Sequence, residues 1–431
     1  MVPQPSTDRA TPAMGRRRFL TTGLAAASLA GVPVVGAQSD PEPPGVVQRR
    51  TYENLRVTGT AEAHGGGRIL VGREWPRPDP DDPVRIALAD AGGAIRQRAT
   101  VTPELPEEPH AAPDVVRTDD GYAVAAGPWL ARLDSDLSLR TTGKHAGDIG
   151  AARGTTLVST DDGFVAGFTE WLPNAFWTWL VSFDADGQYR WHREVNTNGS
   201  QTLDFLLPNG DGAVVAGGTF PWLSEFGADG ASRQIELPDD LPDGVLTAGI
   251  RDGDGVILCS GTDAARLDAA YEIDWTREYD ALGDEYAEDI MPTDDGGFLF
   301  RTTLVDEGDF TLAKADAEGE LQWHHSYRVE TENPAEIHTL AEVSAGEYLL
   351  GGGANLSADG WALVFSDAQT PTPASTATRT STPTATERTI STPTPTQTTA
   401  ASTTTGSGFG TVAAVAALAG TLVAALRRAD D

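Results

Sequence analysis

Thr160-Asp-Asp-Gly-Phe-Val-Ala-Gly-Phe168 and Asp184-Ala-Asp-Gly-Gln-Tyr-Arg-Trp191 are two halves of one repeating phrase. In the first, Asp162 caps a tight turn and Gly163 tolerates positive φ, which is hairpin chemistry. The alternating apolar residues that follow read as a strand. In the second, Asp-Ala-Asp-Gly has the composition of another hairpin turn and leads into a strand that carries Trp191. Working outward, the opening glycine recurs as Gly67, Gly121, Gly163, Gly212, Gly255, Gly297 and Gly346, at intervals of 42 to 54 residues. The second anchor recurs as Asp90, Asp134, Asp184, Asp268 and Asp316, with Gly227 and Ser366 in the remaining two places. Five residues before it stands Trp129, Trp179, Trp222 or Trp361, and seven after it stands Trp191, Trp275 or Trp323. Seven of the ten tryptophans are therefore repeat positions, suited to filling the space between adjacent sheets.

Seven repeats with a mean spacing of about 46 residues predict an all-β, seven-bladed β-propeller over residues 46–368. The seventh repeat stops after Trp361-Ala-Leu-Val-Phe365 without a fourth strand. Val46-Val-Gln-Arg-Arg-Thr-Tyr52 resembles Leu321-Gln-Trp-His-His-Ser-Tyr327 and supplies what is missing. An N-terminal strand is thus expected to close the ring and remove its open edge. Two β-sandwiches would not demand so regular a period or complementary ends.

The two ends are of different character. Residues 1–37 place Arg16-Arg17-Arg18-Phe19-Leu20 before a weakly apolar, Ala- and Gly-rich run, and Ala37 ends a small-residue cleavage site. This resembles a twin-arginine export signal, with Arg16, Arg17, Phe19 and Leu20 as its recognition residues. The resemblance implies passage of the folded chain through the twin-arginine machinery. Residues 369–407 are almost wholly Thr, Ser, Pro and Ala, too polar to bury a core, and are expected to form a disordered stalk. Fully extended, it would reach on the order of 100 Å. Residues 408–431 hold Gly408-Phe409-Gly410, a 16-residue apolar run expected to be helical, and Arg427-Arg428. This tail resembles the PGF-CTERM sorting signal of haloarchaeal surface proteins, although Ser407-Gly408 stands where that family has Pro-Gly. The resemblance implies an archaeosortase that exchanges the tail for lipid. A plain membrane anchor is the alternative, and a helix of roughly 24 Å is short for a hydrocarbon core of about 30 Å. Either way the propeller is expected outside the cell membrane, at the surface or against the S-layer, since terminal arginines stay cytoplasmic.

The chain carries 63 acidic against 31 basic residues, a net charge of −32, and its only lysines are Lys144 and Lys314. Such acidity looks like adaptation to molar salt, where self-repulsion is screened. It also excludes nucleic acid as a partner, which needs a basic face. The single cysteine, Cys259, reads as a buried small hydrophobe and allows no disulfide within one chain.

The phrase Asp-Ala-x-Gly-x-x-x-Trp is similar to the repeat of PQQ-like propellers, though shorter by one residue between Asp and Trp. That resemblance implies fold and not redox chemistry. The seven histidines show no zinc spacing, and the Asp-Asp-Gly turns lack a fixed series of calcium ligands. No cofactor and no metal are expected. Outside the repeat stand Trp75, Trp171, Phe176 and Trp177, placed in loops between second and third strands and hence on one variable face. Aromatics on such loops suggest contact with a cell-envelope glycan or protein. Asn198 and Asn355 open glycosylation sequons. The expectation is a surface-anchored binding or scaffold module, leaning away from catalysis. The alternative is a secreted enzyme, quinone-dependent or polysaccharide-cleaving.

Overall fold

A computed structural model describes residues 44–73, 82–103, 111–145, 147, 152–172, 175–195, 202–219, 221–238, 240–241, 246–283, 285–303, 309–328, 335–354, 358–366 and 387–390. All of them belong to the unit Asp40–Asp431. The export-signal residues Arg16, Arg17, Phe19 and Leu20, the cleavage residue Ala37, and the tail residues Gly408, Phe409, Gly410, Arg427 and Arg428 lie outside the described residues. So do Trp75, Asn198 and Asn355.

The chain opens with β1 (Gly45–Tyr52), and blade 1 follows as β2 (Gly59–Glu62), β3 (Arg68–Gly72), β4 (Val84–Ala89) and β5 (Ile95–Val101). Blade 2 is β6 (Asp114–Thr118), β7 (Gly121–Ala126), β8 (Trp129–Asp134) and β9 (Leu139–Lys144). Blade 3 is β10 (Ala152–Thr160), β11 (Gly163–Leu172), β12 (Ala175–Asp184) and β13 (Tyr189–Val195). Blade 4 is β14 (Phe205–Pro208), β15 (Val214–Gly218), β16 (Trp222–Phe226) and β17 (Ser232–Ile235). Blade 5 is β18 (Leu246–Asp252), β19 (Gly255–Ser260), β20 (Asp263–Leu267) and β21 (Ile273–Glu278). Blade 6 is β22 (Tyr286–Pro292), β23 (Phe298–Thr303), β24 (Asp309–Ala315) and β25 (Leu321–Arg328). Blade 7 is β26 (Ala335–Ser344), β27 (Glu347–Ala354) and β28 (Gly360–Ser366), completed by β1.

Seven sheets, each with four antiparallel strands, therefore form a seven-bladed β-propeller, with no α-helix among the described residues. The closure expected from the sequence is present: β1 pairs antiparallel with β28, Tyr52 opposite Gly360 and Val46 opposite Phe365. Middle strands such as β3, β7 and β19 are buried at every position, because neighbouring blades cover both faces. Outer strands such as β21 alternate between partly and fully exposed. Cys259 is buried within β19.

The structure gives the repeated phrase a mechanical meaning. The anchor Asp ends the third strand of a blade and caps the turn that follows: Asp184 Oδ1 accepts the N–H of Asp186 at 3.0 Å and of Gln188 at 2.8 Å. Asp268 and Asp316 repeat that pattern. One residue into the fourth strand, five blades carry a bulge, which lies between Ser182 and Phe183 on the partner strand in blade 3. The bulge re-aims the next side chain onto the turn of the following blade. Trp191 donates from Nε1 to Ala228 O at 2.8 Å, and Gln97 and Thr141, its equivalents, reach Asp136 O and Asp186 O. Gly230, at φ +76, lies under Trp191, where a Cβ would come within 2.8 Å of the indole; Gly319 lies likewise under Trp275. Asp, Gly and Trp thus form one clasp between consecutive blades.

Of residues 369–407, only four are described. Glu387–Ile390 forms β29, a fifth strand of blade 1, parallel to β5 with Glu387 opposite Arg98. The remainder of residues 369–407 lies outside the described residues.

Candidate functional site

In blades 1 to 6 the first-to-second and third-to-fourth strand turns share one end of the sheet. The other two connections share the opposite end. That opposite, variable face carries the start of each inner strand and so forms one mouth of the axis. Inner strands deliver charge there. Asp114, at the start of β6, accepts the N–H of Val115 and of Leu157 on blade 3, each at 2.8 Å. Asp289 holds the equivalent register, opposite Arg301 as Asp114 is opposite Ala125. It accepts the N–H groups of Ile290 and of Leu340 on blade 7. Burial pushes both carboxyls up to about 6, the backbone N–H groups pull back, and each feels the axial charge around it.

Across blades 6, 7 and 1, Arg56 pairs with Glu336 and donates from Nε to His338 Nε2 at 3.1 Å. That bond makes Nε2 an acceptor and leaves the His338 proton on Nδ1. Burial, then Arg56 and Arg301, push the His338 pKa down to about 3, so the ring is neutral. Arg301 meets Glu288 at 2.6 Å, on the bulge residue that precedes Asp289. In the same blade, Glu285 accepts from Thr302 and Thr311. Both oxygens of Asp114 are engaged by main-chain donors, and Asp289 likewise takes two. The arrangement joins one blade to the next. Among the described residues no three of His, Cys, Asp and Glu converge to hold a metal ion.

The second feature of this face is the β11–β12 hairpin. Both strands run ten residues, and among the described residues no other pair of second and third strands is as long. Trp171, Phe176 and Trp177, expected in a loop, stand in these strands instead. Alternating apolar residues carry the ladder up to Leu172 opposite Ala175, where only Pro173-Asn174 remain as connection. The register sets Trp171 opposite Phe176 and Glu170 opposite Trp177. Phe176 and Trp177, as successive strand residues, face opposite sides of the sheet, and both are partly exposed. The blade 2-facing side also bears Trp179, whose Nε1 donates to Glu170 at 2.8 Å. Beside it the His192 ring lies 4.1 Å, centroid to centroid, from that of His145, tilted by 39°, and shares a 2.7 Å hydrogen bond with the Tyr189 hydroxyl. Burial, then His192, lower the His145 pKa. Trp179 and His192 were legible only as repeat residues, and nothing in the sequence set them beside His145.

No protein family matches the chain, and no curated protein matches it. Among solved structures, it is similar to Raptor of Chaetomium thermophilum, with 11% identity and a TM-score of 0.51, over 77% of this chain and 29% of that one. It is also similar to the WD40 β-propeller domain of Doa1, with 13% identity and a TM-score of 0.48, over 75% of this chain and 96% of that one. At such identities the likeness concerns the fold alone.

Proposed function

We propose that this chain is a binding or scaffold module of the cell envelope that engages its partner through the variable face. The observation that carries the reading is the β11–β12 hairpin, which breaks the equality of the blades and bears Trp177 and Phe176 partly exposed. A closed ring gains nothing in packing from one blade taller than its neighbours. Residues on such projections serve contact with other molecules.

The same proposal places the propeller outside the cell. Arg16, Arg17, Phe19 and Leu20 would direct twin-arginine export, with cleavage after Ala37. The polar stretch 369–407 would hold the propeller off the membrane. Gly408, Phe409, Gly410, Arg427 and Arg428 would retain the tail, either as an anchor or for exchange with lipid. Asn198 and Asn355 would accept glycans there. Protease treatment of intact cells should release propeller fragments, and a chain ending at Asp367 should be found in the medium. Purified full chain should retain cell-envelope material, a glycan or S-layer protein, and Trp177→Ala should lower that retention. Retention unchanged by Trp177→Ala would remove the face from consideration.

A further inference from the structure

We propose that the outer edge of β5 in blade 1 is a docking site for the chain's own tail, and that Glu387–Ile390 binds there as a reversible latch that shortens the tether. The outer strand of every blade presents one row of backbone N–H and C=O groups on its open side, which is a template for a further strand. Among the described residues only β5 has that row taken. There β29 runs parallel to it, with Glu387 opposite Arg98, Thr389 opposite Thr100 and Ile390 opposite Val101. β5 also shows a single exposed position, Arg96, where β13, β17 and β21 each show three or more.

The sequence singles out the same four residues. Between 369 and 407, Ile390 is the one large apolar residue and Glu387 the one acidic residue. Thr389 and Ile390 are β-branched, as strands favour. Pro383 and Pro393, which lack the N–H that a ladder needs, fall on either side. The register sets acid against base at one end of the ladder and apolar against apolar at the other, and no other stretch of 369–407 offers both. Twenty residues, 367–386, lie between β28 and β29. Fully extended they reach about 66 Å, ample for the next blade round the ring. A four-residue parallel ladder is short and of the less stable kind, so the latch opens and closes. Its covalent link to the propeller keeps the local concentration of the segment high. With the latch closed, only residues 391–407 lead on to the C-terminal tail, about 53 Å in polyproline geometry against on the order of 100 Å for the whole polar stretch. The docking does not depend on the binding reading above.

The test is disulfide trapping in the full chain, with diamide as the oxidant. Thr100→Cys combined with Thr389→Cys should form an intramolecular disulfide at least about 10-fold faster than Thr276→Cys combined with Thr389→Cys, which places one thiol on the outer strand of blade 5. Cys259 is buried in β19 and stays silent. Amide hydrogen exchange is the second readout, and it needs no change within the propeller. Thr389→Pro should speed exchange in residues 97–101 at least about 5-fold and leave β21 as it was. Equal trapping at the two sites, or exchange at 97–101 untouched by Thr389→Pro, would overturn the latch. Disulfide-linked pairs of chains in place of the monomeric product would give the edge to the tail of a second copy and overturn the assignment within one chain.

Discussion

Trp191 tests whether the repeated phrase works as a clasp. Its ring is 8% exposed, covers Gly230 of blade 4, lies 5.8 Å from the Arg193 guanidinium, and donates its N–H to Ala228 O at 2.8 Å. Trp191→Ala empties a space between blades 3 and 4 that backbone on both sides keeps from collapsing. Large-to-small changes of this kind cost about 3–5 kcal/mol, and the orphaned carbonyl of Ala228 adds about 1 kcal/mol. Trp191→Phe keeps most of the ring and loses only the N–H donor and part of the packing, for about 1–2 kcal/mol. Urea unfolding followed by circular dichroism separates the two, since the midpoint shift times the slope gives the difference directly. His324→Ala, on an exposed outer-strand position, serves as the neutral reference. If Trp191→Ala costs under 1 kcal/mol, or if the Phe variant is as damaged as the Ala variant, the clasp reading is refuted.

Four further outcomes are expected. Gly230→Ala should destabilise by about 2–4 kcal/mol, from the φ of +76 and the collision with Trp191, whereas Gly210→Ala, at φ +66 with open space around it, should cost about 1 kcal/mol in the same urea series. Burial raises Asp114 to about 6, so the folded chain binds a proton that the unfolded chain releases near pH 4. Its contribution is complete below about pH 4, falls by about 3 kcal/mol as pH rises to about 6, and is flat above; melts of Asp114→Asn should lose that slope, and an unchanged slope would deny the assignment. Removal of residues 45–52 exposes β28 as an open edge, and should give aggregation that added peptide of that sequence suppresses, as light scattering would register. Given the acidic surface, circular dichroism should report loosening between molar and millimolar salt, and identical spectra would count against that expectation.

The ring was legible because its parts repeat. Gly, Asp and Trp return at fixed places, and each is chemically distinct enough to be seen in one sequence. The complementary ends likewise announced β1 beside β28. The axial charges were not legible, although Asp114 and Asp289 occupy equivalent register. Asp114 stands seven residues before Gly121 and Asp289 eight before Gly297, because the blade 6 turn has one residue more. That single insertion hides the match, and among 63 acidic residues neither aspartate attracts notice. The hairpin of blade 3 was misplaced for another reason. Pro173-Asn174 is a turn signal, but a turn residue does not say how far the ladder runs toward it. The backbone ladder runs on to Leu172 opposite Ala175, and position within a strand then set Phe176 and Trp177 on opposite sides.

Two buried carboxyls near pH 6 at the mouth of an axis resemble an acid–base pair, and the question is what separates them from one. Catalysis needs a lone pair or a proton aimed at a place where a substrate atom can sit. Asp114 directs one oxygen to its own blade and the other to Leu157 of the next. Asp289 does the same with Ile290 and Leu340. The raised proton affinity follows from burial at a blade junction, which would exist in a propeller with no ligand at all. The same reasoning applies to His338, whose Nε2 is taken by Arg56. Charge at the axis therefore joins blade to blade, and the features that no junction requires are on the rim, where one hairpin rises above its neighbour. Substituting Asp114 should change melting and leave envelope retention intact, while substituting Trp177 should do the reverse. A protein in which both changes moved both measurements would have its binding site at the axis instead.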